Sequence, residues 1–453
     1  MNDRHAYTQD TIVAAATPPG SGGIGIVRIS GPDVRKIAEQ ILGNIPKPRV
    51  ASFRKFRGRD GEQVDAGIAL YFPAPKSFTG EDVLELHGHG GPVPVASTVA
   101  AAIAFGARQA EPGEFTKRAF LNDKLDLVQA EAVADLIGSG SQQAARAALR
   151  SLSGTFSKAV DELQEQLVRL RLHVEAAIDF PEEEIDFLAD AALRRNLDDC
   201  AEAFNTLLEG ARTGRVLRDG YRMVIVGEPN VGKSSLLNLL SGQDAAIVTE
   251  LAGTTRDILR ETISIDGLNV ELVDTAGLRE NADRIEAEGI RRAKEAIRTA
   301  DAVLLIQDAS AGWLSSTVLD ADVLPQDVPV IIVRNKIDLS GDSPGRAASA
   351  PLAINLSAKT GEGIDALREA IRELAGYKDQ GEGAFTARRR HIEALQKAAS
   401  HFAAGVDALE QSNAGELLAE ELRLAHKELG EVTGAFSSDE LLGRIFSEFC
   451  IGK

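Results

Sequence analysis

A mostly parallel α/β domain, inserted into an all-α helical domain and preceded by an α+β domain, is the fold class that three features of this sequence predict. The first is the stretch Met223–Ser235, MVIVGEPNVGKSS, in which an apolar strand runs into a glycine-rich loop and a helix start. The second is the alternation of strand and helix patterns from Asp219 to Tyr377, which favours a parallel sheet with ligand at the carboxyl ends of its strands. The third is helical periodicity on both sides of that segment, from Leu125 to Gly210 and again from Arg388 to Phe449. Insertion of one domain into another is plausible because domain termini lie close together. The boundaries expected are 1–122, 123–218, 219–378 and 379–453.

The glycine-rich loop is a phosphate cradle of the P-loop NTPase type. Gly227, Gly232, Lys233 and Ser234 fit G-x-x-x-x-G-K-[ST]. Glycines let backbone N–H groups approach phosphates, and the following helix N-terminus adds favourable dipole charge. Lys233 is expected on the β/γ oxygens and Ser234 on magnesium, with Asn230, Val231, Gly232 and Ser235 lining the same loop. Downstream come DTAG at Asp274, Thr275, Ala276 and Gly277, NKID at Asn335–Asp338, and SAK at Ser357, Ala358 and Lys359. That order excludes a glycine turn with unrelated neighbours.

NKID names the base. Asp338 offers two acceptor oxygens in one plane, matching the N1–H and exocyclic amine of guanine, a pair that adenine lacks. A carboxylate left without donors is costly, so ATP is disfavoured. Asn335 would brace the loop and the Lys336 stem would cover the base. The expected ligand is GTP.

Composition bounds the rest. A chain of 453 residues supports two or three domains, and two cysteines, Cys200 and Cys450, argue against a disulfide framework. No amino-terminal apolar run resembles a signal peptide or a membrane span, so a soluble cytoplasmic protein is expected. A net charge of −18 makes nucleic-acid binding by the whole surface untenable; any RNA contact is local or shared. The best local cluster is Lys47, Arg49, Arg54, Lys55, Arg57 and Arg59 with Phe53 and Phe56, read as a solvated hairpin in preference to an RNA patch.

At the amino end, Thr11–Ala16 and Ile24–Ile29 flank the turn TPPGSGG, two more strands are expected at Ala66–Phe72 and Val83–His87, and Val93–Phe105 is helical. HGHGG, with His87 and His89, is read as a glycine-rich turn because no third metal ligand stands at a recognisable spacing. Glu81, Asp82 and Glu85 are assigned no chemistry from spacing alone. Phe156, Val160, Leu163, Leu167, Leu170, Val174 and Ile178 recur at intervals of four and three, a buried helix face that ends at DFPEEEID. A second helix is expected near Ala191–Glu209. Asp266-Gly267 is a two-residue turn signal, making Asp257–Ile265 and Leu268–Val273 an antiparallel hairpin.

Motif order, the loop AAIVTELAGTTRD, the phrase DTAGLRE, the pattern ATPPG-x-GGIGIVRISGP and the terminal LLGRIFSEFCIGK together closely resemble the MnmE (TrmE) family of tRNA-modification GTPases. The resemblance covers essentially the whole chain. It implies a folate-binding amino-terminal domain, a helical domain and an inserted G domain. It further implies a homodimer, and a GTPase working with an FAD-dependent partner of the MnmG (GidA) family on the wobble uridine of certain tRNAs, with no membrane involvement. The folate, 5-formyltetrahydrofolate or a related form, carries over onto Arg28, Glu85, Lys124 and Lys453; cationic groups suit its anionic glutamyl tail. Cys450 is placed near that site, with a catalytic role or a buried small hydrophobe both open. Cys200 is read as packing.

Leu278 stands where many small GTPases carry a water-orienting glutamine, and an isobutyl group cannot orient water. The resemblance points instead to Glu286. No arginine finger is identifiable, and potassium is implied in its place, held by Asn230, Thr249, Thr254 and the Leu251 carbonyl, while Thr255 joins Ser234 on magnesium. Other readings are a ribosome-assembly GTPase, a regulatory switch, and a folate-dependent one-carbon transferase with a regulatory G domain.

Overall fold

The protein is described by a computed structural model covering residues 10–179, 191–241, 260–274, 297–311, 328–347, 352–377, 384–435, 439–447 and 449–452. Two compact units emerge, one of residues 1–134 with 426–453, the other of residues 135–425.

In the first unit a six-stranded sheet has the order β3-β4-β5-β2-β1-β6. Its strands are β1 (Ile12–Ala15), β2 (Gly22–Ser30), β3 (Ser52–Arg57), β4 (Gln63–Phe72), β5 (Val83–Gly90) and β6 (Arg108–Gln109). Helices α1 (Val34–Leu42) and α2 (Pro92–Ala104) pack against it. Val34, Ile37, Ala38 and Ile41 recur at helical spacing and join Val27, Ile29, Leu84, Leu86 and Phe56 in one core. The expected solvated hairpin is β3–β4, with Phe56 fully buried and Phe53 70% exposed. HGHG is a correction: it lies within β5, where Gly88 pairs with Gly25 and Gly90 with Gly22 of β2, and the chain turns only at Gly91. Among the described residues, His87 meets Glu85 and His89 meets Asp65.

Helices α3 (Glu114–Leu121) and α4 (Leu127–Ile137) follow. A separate cluster joins Phe120, Leu127 and Ala130 to Leu442, Ile445, Phe446 and Phe449 near the carboxyl terminus.

The second unit opens with helices α5 (Gln142–Leu152), α6 (Thr155–Asp179) and α7 (Ala191–Asp219). On α6 the expected stripe is buried from Phe156 to Val174, while Ile178 is half-buried. The second expected helix runs ten residues beyond Glu209, because Ala211, Val216 and Leu217 continue the apolar face.

Directly after α7 comes a seven-stranded sheet, ordered β12-β13-β11-β10-β7-β9-β8. The strands are β7 (Tyr221–Gly227), β8 (Arg260–Ile265), β9 (Leu268–Asp274), β10 (Ala302–Asp308), β11 (Val330–Asn335), β12 (Gly345–Arg346) and β13 (Ala353–Asn355). Parallel pairing of β9, β7, β10, β11 and β13 sets their carboxyl ends on one edge. The hairpin β8–β9 is antiparallel, and Asp266 (φ 50°) and Gly267 (φ 89°) both adopt the positive φ that a tight hairpin turn needs. Helices α8 (Lys233–Ser241), α9 (Ile337–Ser340) and α10 (Ile364–Leu374) lie in this α/β segment. Beyond it run the helices α11 (Arg389–Ser412), α12 (Gly415–Thr433) and α13 (Asp439–Ser447), so the α/β segment is an insertion between helical portions.

Candidate functional site

Four adjacent strand ends build the candidate nucleotide site. Gly227 closes β7 opposite Ile306 of β10, and Asp308 at the end of β10 pairs with Asn335 at the end of β11. Asp274 ends β9 one position past the Val224–Val273 pair. The loop after β7 then turns into α8.

Within that loop Asn230 (φ 65°) and Gly232 (φ 98°) take left-handed conformations. At Gly232 a side chain has no room, because its β-carbon would collide with the Asn335 amide. Val231 and Lys233 are buried, and Asn230, Ser234 and Ser235 are exposed at the cradle and first turn of α8. The Lys233 ammonium donates to the carbonyls of Gly227 (2.9 Å) and Glu228 (2.8 Å), which holds positive charge beside the loop.

The NKID and SAK segments converge on the same loop. Asn335, 2% exposed, donates through Nδ2 to the Val231 carbonyl at 2.8 Å and accepts at Oδ1 from the Ala358 N–H at 2.8 Å. Ser357 Oγ donates to Asp338 Oδ1 at 2.8 Å, fixing a carboxylate whose residue is otherwise exposed. Lys336 (φ 68°) reaches Asp308 with Nζ–Oδ2 at 2.7 Å, and Lys359 is exposed. The Lys336 hydrogen bond, with donors from Ser310, holds the Asp308 carboxyl below its ordinary value. The arrangement presents a cationic cradle, a helix N-terminus and an oriented carboxylate, which is what a nucleoside polyphosphate requires.

In the first unit, Arg28 and Glu85 are directly opposed on β2 and β5. Arg28 Nε donates to Glu85 Oε1 at 2.9 Å, and the guanidinium carbon lies 5.5 Å from the Phe78 ring centroid and 5.8 Å from that of Phe115. The charge of Arg28 is thus already matched by Glu85. Lys124 is exposed, with its stem against Gly80. Cys450 decides between its two readings on one side only: it is an exposed free thiol and not a buried small hydrophobe, while the segment around it is held by a Pro112–Ile451 bridge, a hydrogen bond from Gly113 N–H to the Cys450 carbonyl and the buried Phe449 ring. Cys200 is fully buried, which pushes its thiol up to about 12.

Family models match along nearly the whole sequence: the MnmE helical domain over residues 127–450 and the GTP-binding protein TrmE N-terminus over residues 11–124. The chain belongs to the MnmE (TrmE) family. Relatives named tRNA modification GTPase MnmE include those of Stutzerimonas stutzeri (strain A1501), 54% identical over 98% of this chain and 99% of that one, and Pseudomonas syringae pv. tomato, 55% identical over the same shares. The Vibrio cholerae relative is 52% identical, over 98% of this chain and its own full length.

Several expected site residues, from the DTAG motif or the MnmE resemblance, lie outside the described residues: Thr249, Leu251, Thr254, Thr255, Thr275, Ala276, Gly277, Glu286 and Lys453. Sequence reasoning passed over two features that are described. One is Asp308, whose signal was an acidic residue closing the apolar run AVLLIQD one strand before NKID. The other is Arg118, 1% exposed on α3 and bonded to Asp10 (2.7 Å), Glu114 (2.9 Å) and Glu81 (3.1 Å).

Proposed function

We propose that this chain is a GTP hydrolase acting in tRNA modification, and that with an FAD-dependent MnmG (GidA) family partner it forms a carboxymethylaminomethyl-type group on wobble uridine. The observation that carries this reading is the Asn335 side chain joining the Gly227–Ser234 loop at Val231 to the SAK turn at Ala358, where Ser357 orients Asp338, in a chain whose relatives are named tRNA modification GTPases.

Guanine is recognised by Asp338, whose carboxylate Ser357 orients. Lys233 leaves its loop carbonyls for the β- and γ-phosphate oxygens, and the N–H groups of the loop complete the cradle. The exposed hydroxyl of Ser234 suits magnesium, shared with Thr255, and Asn230 with Thr249, Thr254 and the Leu251 carbonyl suits potassium. When bound, the two cations neutralise charge that develops on the phosphates. Glu286 orients the attacking water.

A folate fits the Arg28–Glu85 pair. Pterin, like guanine, places an amine and a ring N–H side by side for a carboxylate, and the exposed Phe78 ring beside Arg28 supplies an apolar face. Because Glu85 already neutralises Arg28, the anionic tail falls to the exposed Lys124 and to Lys453. The folate supplies one-carbon chemistry when bound, near Cys450, and the protein works as a soluble homodimer in the cytoplasm. Among the described residues no helix is long and apolar enough to cross a membrane.

Steady-state hydrolysis of GTP, ATP and XTP in matched potassium and sodium buffers tests the core of this reading. GTP turnover faster in potassium, with preference moving to XTP in Asp338→Asn, is expected. Equal turnover of ATP and GTP by the wild type overturns it.

A further inference from the structure

We infer that Asp308 is a positioning residue for nucleobase binding: its carboxylate fixes the Lys336 ammonium and so lays the methylene stem of that lysine along the face of the base. This rests on the guanine reading above.

The backbone on either side of Lys336 is pinned. Asn335 is held by Val231 and Ala358, and Ile337 is buried, its N–H donating to the Leu356 carbonyl at 3.3 Å. Lys336 itself sits at φ 68°, a conformation that a residue with a β-carbon adopts only when its surroundings impose it. With the main chain fixed, the remaining freedom is in the four-carbon side chain, the costly part of ordering a lysine against a ligand.

Asp308 removes that freedom before any nucleotide arrives. Its Oδ2 accepts from Lys336 Nζ at 2.7 Å, while Oδ1 accepts from Ser310 N–H at 2.9 Å and Ser310 Oγ at 2.6 Å. Both oxygens are therefore committed, and the carboxylate is an anchor held from behind by its own turn. The two side chains are 30% and 24% exposed, unlike the helix-surface pair Lys158–Glu162, which is 79% and 62% exposed and 3.7 Å apart. Register places the anchor on the base side of the site, since Asp308 pairs with Asn335 and Asp338 follows two residues after Lys336.

A stem lying on the face of a ring does not read its edge. Loss of Asp308 should therefore weaken guanine and xanthine nucleotides by the same factor, and mainly through faster release. Discrimination between the bases stays with Asp338.

The test is stopped-flow release of fluorescent GDP from the full chain, for wild type, Asp308→Asn, Lys336→Met and the double variant. Lys336→Met keeps an apolar stem and removes the ammonium. Release about 5- to 20-fold faster in Asp308→Asn is expected, with the double variant no faster than Lys336→Met alone, as a shared interaction requires. Asp308→Glu should restore most of the wild-type rate, which a general loss of folding would not allow. In an Asp338→Asn background, Asp308→Asn should speed xanthosine diphosphate release by the same factor. Unchanged release in Asp308→Asn, or effects of the two variants that multiply, overturns the inference while leaving guanine binding intact. Failure of wild type to bind GDP overturns the guanine reading itself.

Discussion

Asn335 Nδ2 donates to the carbonyl of Val231 at 2.8 Å, joining the end of β11 to the middle of a phosphate loop 104 residues earlier. The same side chain accepts from Ala358 N–H, so one buried amide holds the phosphate loop, the NKID turn and the SAK turn in a single arrangement. The proposed base-recognition and phosphate-binding segments are thus linked through it.

Asn335→Ala leaves the Val231 carbonyl and the Ala358 N–H without this partner, at about 1–3 kcal/mol for an unsatisfied buried group. GTP affinity should fall by roughly one to two orders of magnitude on the same arithmetic. Isothermal titration with GDP and GTP checks this; unchanged affinity with lowered melting temperature would make Asn335 a purely structural residue.

The ionic cluster in the first unit predicts an acid-sensitive fold. Asp10 and Glu114 are desolvated, yet hydrogen bonds from Arg108 and Arg118 hold both carboxyls below their ordinary values. Groups with depressed folded values contribute stability above their unfolded pKa, about 4, and lose it as pH falls through the folded values. Removing the partner of a buried charge costs about 3–5 kcal/mol, so Arg118→Leu should destabilise this unit at neutral pH and raise the pH at which acid unfolds it. Melting followed by circular dichroism between about pH 3 and pH 7 is the check. An acid midpoint that does not move would remove the cluster from the account.

The two thiols should behave oppositely. Cys450 is exposed, whereas burial pushes the Cys200 thiol up to about 12 and shields it. Ellman's reagent should therefore titrate one thiol in the native protein and two after unfolding; a native count of two would place Cys200 at a mobile surface.

How far the sequence alone leads depends on where partners lie along the chain. The phosphate loop, NKID and the Asp266-Gly267 hairpin are read directly because each is a contiguous run whose residue types have one physical use. The α6 stripe was equally plain, since seven apolar positions share one period. Short elements were not: α1 has nine residues between polar neighbours, and β3 reads as a basic run until pairing with β4 turns Phe56 inward. Arg118 could not be read at all, for its partners Asp10 and Glu81 lie 108 and 37 residues away. Cys450 stood open between a site role and a buried small hydrophobe, and its exposure, which goes against the second, depends on how the chain end packs and not on composition. Asp308 needed the register of β10 on β11 before it stood beside Lys336.

The nucleotide-site and folate-site residues proposed above belong to different units of the chain, and the proposed function predicts that tRNA modification requires hydrolysis and not nucleotide occupancy alone. The measurement that tests this most directly is nucleoside mass spectrometry of tRNA from a deletion strain complemented with wild type or with Glu286→Ala, a variant first shown by titration to bind GTP normally. Wild type should restore the modified wobble uridine and Glu286→Ala should leave it unmodified; full modification by the hydrolysis-deficient variant would contradict the account.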